Sequence, residues 1–337
     1  MIAEAVYRAV VALAVTAIAV PAILPILRRS GVVDVPSARS SHSTIVPRGA
    51  GIAVIAGLVV AAAVPFGDGT RTDHQLVTVV LGVAVLYALV GFADDLRGLD
   101  PSVRLLAQVV LGVVLAWPMA DLLGRDWMWI PLGAIAATAY VNVTNFMDGV
   151  NGITGWHGVV TGLAFTAMGL YADLDWVVVT AACLTGASLG FLPYNALRAR
   201  VFLGDVGSYG IGATIAGLSG GAFLAGLPAE ACLGPLLVYL ADTGSTLIRR
   251  LSRGENWREP HRSHVFQRLT DMGLSHVQVA FLVAALTVVT SALGALSLLD
   301  DPRARLLGDA GAFAVVAAYL VLPTVLARRV GTRPAEG

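Results

Sequence analysis

The 337-residue chain reads as an all-α, polytopic membrane protein of about eleven transmembrane helices, with its N-terminus outside and its C-terminus in the cytoplasm. Three observations predict this. Hydrophobic residues make up 57% of the chain and charged ones only 13%, with a mean hydropathy of +0.78. An average soluble domain holds roughly 45–50% apolar and about 25% charged residues. Next, the apolar residues fall into runs near the ~20 residues that a helix needs to cross a bilayer. Last, the basic residues are spread unevenly along the chain. All 22 of them are Arg.

The runs lie at 5–27, 49–66, 75–93, 103–120, 127–144, 153–172, 176–193, 208–226, 229–248, 277–299 and 309–327. The first is longer than a signal-peptide core and has no A-x-A cleavage pattern before the next polar segment, so it reads as a first span. The fifth is short and runs straight into polar residues; without it the count is ten. If the first helix enters from outside, seventeen Arg fall on the inner connections and five on the outer (Arg8, Arg71, Arg125, Arg303 and Arg305). That asymmetry orients the chain.

The same composition narrows function. Formal net charge is zero, so bulk charge argues for neither a nucleic-acid partner nor an acidic one, and no nucleic-acid partner is expected. Cys183 and Cys232 sit inside apolar runs with no CxxC or Cys/His neighbours, so neither a disulfide nor a zinc site is expected. The chemically capable residues concentrate on the inner connections, as in an enzyme with a cytoplasmic substrate. An ion-coupled transporter would place ionisable groups near mid-bilayer, within inverted repeats, and Asp242 is the one such candidate. A lipid-phosphate phosphatase would need a compact Lys/Arg, Ser-Gly-His and Arg-His set, which is missing. The whole chain, 1–337, reads as one transmembrane domain, with candidate active-site segments at 34–51, 91–104, 142–152, 193–208 and 249–270.

The first segment holds Arg39, His42 and a Pro47, Arg48, Gly49, Ala50, Gly51 run opening the second span. Arg forks and accessible backbone N–H groups suit phosphate, while positive-inside anchoring plus a turn explains the pattern equally well. In the second, Asp94 and Asp95 are adjacent carboxylates at a membrane boundary, costly unless a cation or donor compensates. A metal, a proton-transfer role or a solvated helix end are the three readings.

The third segment carries Asn142, Asn145, Asp148, Gly149, Asn151 and Gly152. The spacing puts Asn145, Asp148 and Asn151 near one helical face, suited to a hard cation or a nucleotide base, with a plain loop as the alternative. In the fourth, Asn195 is followed by Phe202, Gly204 and Asp205. Asp205 is either a helix cap or a Mg²⁺ ligand. The fifth concentrates Arg258, His261, Arg262 and His264 into an anion-binding surface. The pair His261 and His264 lacks a third zinc ligand nearby. His157 is assigned to packing, and Asp242 is expected to pair with Arg249 or Arg250.

Taken together and in this order, the five segments resemble the polyprenyl-phosphate N-acetylhexosamine-1-phosphate transferase superfamily, from about residue 34 to residue 270. The resemblance implies a multi-pass enzyme of the bacterial inner membrane with a cytoplasmic active site. It would transfer an N-acetylhexosamine-1-phosphate, GlcNAc or a deoxy derivative, from a UDP-sugar to undecaprenyl phosphate, release UMP and so initiate a cell-envelope glycan. It implies Mg²⁺, with Mn²⁺ as a substitute, a membrane-lipid environment, and a homodimer as an allowed state. The family's paired aspartates fall on Asp94 and Asp95, and its Asn-x-x-Asp-Gly element on Asn145, Asp148 and Gly149. Asp94, Asp95 and Asp148 are thereby implied as catalytic, and Asp205, with Asn145, as the metal site. Asn151, Asn195, Phe202, Gly204, Arg258, His261, Arg262, His264, Arg39 and His42 are implied in substrate binding.

Asn151 stands where most bacterial members carry Asp and the dolichol branch carries Asn. The Lys that often follows the aspartate pair in the peptidoglycan enzyme, the phospho-N-acetylmuramoyl-pentapeptide transferase, is replaced by Arg97. The Pro-Arg-Gly and His-Arg-Ser-His-Val-Phe-Gln-Arg-Leu runs look most like the O-antigen-initiating branch of lipopolysaccharide synthesis, with the peptidoglycan reaction as the alternative.

Overall fold

A computed structural model describes residues 1–34, 45–64, 69–255 and 262–330, with residues 329 and 330 described by their backbone alone. Each of the eleven apolar runs falls on a helix. In chain order these are α1 (Ile2–Arg29), α2 (Gly51–Ala63), α3 (Arg71–Arg97), α4 (Pro101–Leu122), α5 (Trp129–Met147), α6 (Ile153–Tyr171), α7 (Asp175–Asn195) and α8 (Gly204–Leu224). A broken ninth rod follows: α9 (Ala229–Leu233), one 3₁₀ turn at Gly234–Leu236, and α10 (Leu237–Ser252). Then come α11 (Val265–Asp271), α12 (His276–Ala295) and α13 (Pro302–Val330).

Seven of these rods are long and apolar enough to cross a membrane: α1, α3, α4, α7, the α9–α10 rod, α12 with its 3₁₀ extension, and α13. α2 has only 13 residues. Large apolar side chains cover the outside of the bundle, among them Ile18 at 71% exposed, Leu106 at 66% and Phe313 at 77%. A water-soluble surface would not carry such a coat, and the protein is an all-α polytopic membrane protein. The strand pairing found among the described residues is one two-residue antiparallel contact, β1 (Val33–Asp34) with β2 (Val46–Pro47), which closes the base of the first segment.

Packing sorts the rods into pillar and coat. The most apolar window of α7 is 89% buried, whereas those of α1 and α13 are 22% buried. α7 and α8 therefore form the interior, and α8 is built for close contact, with Gly, Ala and Ser along its length. Arg8, in α1, is fully buried. Its guanidinium bonds Glu4 Oε1 at 2.7 Å, the Ala61 carbonyl at 2.6 Å and the Val64 carbonyl at 2.8 Å. It thus satisfies the open carbonyl end of the short α2.

The two ends of the bundle differ. At one end, Arg125 Nε donates to the Leu224 carbonyl, Tyr171 Oη to the Leu298 carbonyl, and Arg305 pairs with Glu230. At the other end, segments 46–50, 94–104, 145–152, 195–208 and 262–267 meet one another.

Candidate active site

The site is organised around the N-terminal end of α8. Phe202 runs beside Arg48, and its carbonyl accepts the N–H groups of Gly49 and Ala50 at 3.1 and 3.0 Å. This strand-like contact delivers the chain into Gly204, whose φ of +77° is left-handed. A side chain there would be strained, and its Cβ would lie 2.6 Å from Asp95 Oδ2. Gly91 in turn lets α3 come directly against the Asp205 backbone. The two glycines place the aspartate pair of α3 on top of the α8 terminus.

Asp95 then does what Asp205 was weighed as doing. Its carboxylate, fully buried, accepts the Asp205 and Val206 N–H groups, both at 3.1 Å, and pairs with Arg48 Nη2 at 3.1 Å. A carboxylate on the positive end of a helix is favourable. Asp205 lies in the first turn of α8, whose N-cap is Leu203, and its side chain points to α5. Its Oδ1 accepts Asn145 Nδ2 at 2.7 Å, and the same amide reaches Ser208 Oγ at 3.1 Å. Asp205 has an amide beside it and, among the described residues, no guanidinium within ion-pair distance.

Asp94 is 5% exposed. Its oxygens take Arg104 Nη1 at 2.8 Å, Tyr209 Oη at 3.1 Å and the Leu99 N–H at 2.8 Å. The cost of holding two adjacent carboxylates at a membrane boundary is thus met by two separate Arg residues and by backbone donors. Arg104 and Tyr209 were missed as site residues. The signal for Arg104 was present, since it lies ten residues beyond Asp94 on an inner connection, but nothing local set it apart from a topology marker.

The third segment does not form one helical face. α5 ends at Met147, Asp148 is its C-cap, and a turn at Gly149–Gly152 follows. The helical ladder is left where the Asp148 N–H turns back to the Asn145 carbonyl and the Gly149 N–H to the Met147 carbonyl, and Asn195 fixes the turn that follows: its Oδ1 accepts the Gly152 N–H at 2.6 Å while its Nδ2 donates to the Val201 carbonyl at 2.9 Å. Both amide ends of Asn195 are therefore spent bracing the turn from beneath. Asn151 is half-buried at the turn's surface, its backbone N–H 3.4 Å from His276 Nδ1. Asp148 is half-buried; the protein around it, and to a smaller extent the nearby Asp95 charge, pushes its carboxyl up to about 6.

On the remaining side, His264 is 3% exposed and Arg262 pairs with Asp271 at 2.8 Å. Asp242 does not pair with Arg249 or Arg250. It is wholly buried, accepts the Val265 and Phe266 N–H groups and Tyr319 Oη, and lies 3.1 Å from His264 Nδ1. Arg249 reaches the Ser263 carbonyl at 2.6 Å and Arg250 pairs with Glu255 at 2.9 Å. Arg39, His42, Arg258 and His261 lie outside the described residues. His157 is buried, bonded to Tyr140 Oη at 2.7 Å and stacked on Tyr239, in keeping with packing.

The described residues thus bring Asp94, Asp95, Asn145, Asp148, Asp205, Gly204 and Phe202 to one end of the bundle. Among the described residues no group of three or more His, Cys, Asp or Glu side chains is placed to hold a metal ion by itself. A site with few carboxylates suits a cation that also takes oxygens from its substrate.

The family model of glycosyl transferase family 4 matches residues 77–221, a stretch running from α3 to α8. A probable undecaprenyl-phosphate N-acetylglucosaminyl 1-phosphate transferase of Bacillus subtilis is 28% identical over 298 residues, covering 82% of this chain and 81% of the relative. The decaprenyl-phosphate N-acetylglucosaminephosphotransferase of Mycobacterium tuberculosis is 28% identical over 342 residues, 88% and 83% of the two chains. A phospho-N-acetylmuramoyl-pentapeptide-transferase of a Synechococcus species is 31% identical over 305 residues, 81% of this chain and 86% of the relative.

Proposed function

The chain belongs to the polyprenyl-phosphate hexosamine-1-phosphate transferase superfamily, glycosyl transferase family 4, and on that premise we propose that it transfers an N-acetylhexosamine-1-phosphate from a UDP-sugar to undecaprenyl phosphate. One phosphoanhydride is exchanged for another. An oxygen of the lipid phosphate forms a bond to the β-phosphorus, the bond from that phosphorus to the bridging oxygen breaks, and UMP leaves with the electron pair. The lipid phosphate needs little activation, because its second pKa of about 6 leaves it mostly dianionic at neutral pH. What the protein must supply is alignment and charge compensation.

The observation that carries this reading is the meeting of Asp205, Asn145, Asp95 and Asp94 at the α8 terminus, flanked by Arg48 and Arg104. Asp205, with Asn145 or Asp148, is our choice for holding Mg²⁺, or Mn²⁺ in its place. The bound ion would neutralise charge on the pyrophosphate and on departing UMP. Three carboxylates, Asp94, Asp95 and Asp205, with Asp148 nearby, against the guanidiniums of Arg48 and Arg104 leave the cluster with an excess of negative charge when all are ionised, which favours a divalent cation. Asp94, enclosed by three donors, is better placed to orient Arg104 toward a phosphate than to take a proton. Arg262 and His264, with Arg258 and His261 beside them in sequence, belong to the sugar-phosphate end of the donor.

The seventeen-to-five distribution of Arg supports eleven crossings with this end in the cytoplasm of the inner membrane. The Pro-Arg-Gly and His-Arg-Ser-His runs favour a glycan-initiating reaction of the O-antigen type. The Synechococcus relative is a specific reason to test the peptidoglycan donor alongside. Membranes containing the protein, incubated with undecaprenyl phosphate and a panel of UDP-sugars, should form one lipid-linked sugar pyrophosphate by mass. No new lipid with any donor overturns the proposal, and uptake of solute without UMP release replaces it with transport.

A further inference from the structure

Asp242 is a buried carboxylate that the reaction does not use. Oδ1 takes His264 Nδ1 at 3.1 Å and the Val265 N–H at 2.9 Å; Oδ2 takes the Phe266 N–H at 3.2 Å and Tyr319 Oη at 2.6 Å. Three donors and the His264 ring, from α13 and the start of α11, converge on one side chain of α10. Burying an ionised carboxylate costs several kcal/mol, and an apolar contact would join these helices for less. A simple cap would also not require a carboxylate: Asn at this position offers one acceptor oxygen, and its NH₂ would face two donors. The arrangement therefore serves placement more than adhesion.

What it places is next to the site. The His264 ring packs at 6.3 Å from that of Phe146 and at 5.6 Å from that of Phe266. Phe146 follows Asn145, the residue bonded to Asp205. The Phe266 ring rests on Gly149, the residue after Asp148. A shift of the first turn of α11 is thus felt at Asn145 and Asp148 through two aromatic contacts.

We propose that Asp242, braced by Tyr319, is a positioning residue for the donor side of the site: it fixes the His264 imidazole with Nδ1–H as donor and sets the first turn of α11 against the 145–149 segment. This makes Tyr319 of α13, 55 residues beyond His264, the last candidate site residue, part of the donor-binding apparatus. The inference deepens the transferase reading and rests on it for its kinetic consequence, while its structural half stands alone.

Two measurements on the full-length purified protein test it. Side-chain ¹⁵N spectra of histidine-labelled protein, assigned with His264→Gln, should show His264 protonated on Nδ1 in the wild type. In Asp242→Asn that signature should be lost. In steady-state assays with UDP-N-acetylglucosamine and undecaprenyl phosphate, Asp242→Asn should raise the KM for the nucleotide sugar about 10-fold and Tyr319→Phe a few-fold, with the KM for the lipid unchanged. If Asp242→Asn does not fold, Tyr319→Phe carries the kinetic arm and the wild-type spectrum the structural one. An Nε2–H tautomer of His264 in the wild type overturns the placement. Equal changes in both KM values, or a lowered melting temperature with unchanged kinetics in Tyr319→Phe, overturn the positioning role. Absence of turnover with this donor in the wild type bears on the transferase reading, and the spectrum still decides the placement of His264.

Discussion

The chain handles buried carboxylates in two ways, at the α8 terminus and at Asp242. Asp94 and Asp95 pair with Arg104 and Arg48, whose side chains remain 26% and 32% exposed. Asp242 is enclosed with His264, Tyr319 and two N–H groups, all within the protein. A guanidinium reachable from solvent can bond a carboxylate on one side and an arriving phosphate on the other. Asp242, with its donors fully committed, can only hold position. The difference separates carboxylates that take part in binding from one that sets geometry.

The strongest way to break this distinction is at Asp205, where the neighbour is an amide. Asp205→Asn should lower kcat by roughly 10²–10³-fold, the scale at which losing one charge-stabilising group is felt, with the melting temperature little changed. Retained metal-dependent turnover in that variant would remove Asp205 from the metal site. Arg104→Met leaves Asp94 with Tyr209 and the Leu99 N–H alone. We expect a loss of about 2 kcal/mol in stability, reduced from the value for a fully buried pair by the partial exposure of Arg104. Activity should fall more than stability, as read by the KM for the lipid phosphate. Arg104→Lys should recover stability but only part of the activity.

Gly204→Ala tests the backbone beneath the cluster. The left-handed φ costs about 1–2 kcal/mol for any L side chain, and the added methyl pushes on Asp95, so both melting temperature and kcat should drop. The smallest effect expected is a pH dependence at Asp148. With its carboxyl raised to about 6, the folded state loses stability as pH rises from the ordinary carboxylate range, near 4, through about 6. Catalysis that uses the ionised form should rise over the same interval. Asp148→Asn should flatten the limb near pH 6 in kcat/KM; a limb unchanged in that variant assigns it elsewhere.

The amino-acid sequence carries part of this architecture openly and hides the rest. Helix positions were plain, because lipid imposes both run length and composition on the chain. The site segments were legible because chemically capable residues at one membrane face stand out from an apolar background. Their partners were not. Asp95 caps α8 across 110 residues of sequence, and Asp242 reaches Tyr319 across 77. Such pairings depend on tertiary packing, which local spacing does not encode. The even spacing of Asn145, Asp148 and Asn151 suggested one helical face, but α5 stops at Met147 and Asn195, from another helix, holds the turn that follows through the Gly152 N–H.

The buried arginine of the first helix has a consequence for anyone who would re-engineer this protein. α2, at 13 residues, rises only about 20 Å, well short of a hydrocarbon layer about 30 Å thick. Its terminal carbonyls are met by Arg8. The first helix is therefore not a generic anchor to be exchanged for another greasy segment in a chimera. A replacement lacking a guanidinium at that depth would leave peptide oxygens bare in lipid. Fusions placed ahead of the first helix should express normally, whereas swaps of it should be cleared by membrane quality control.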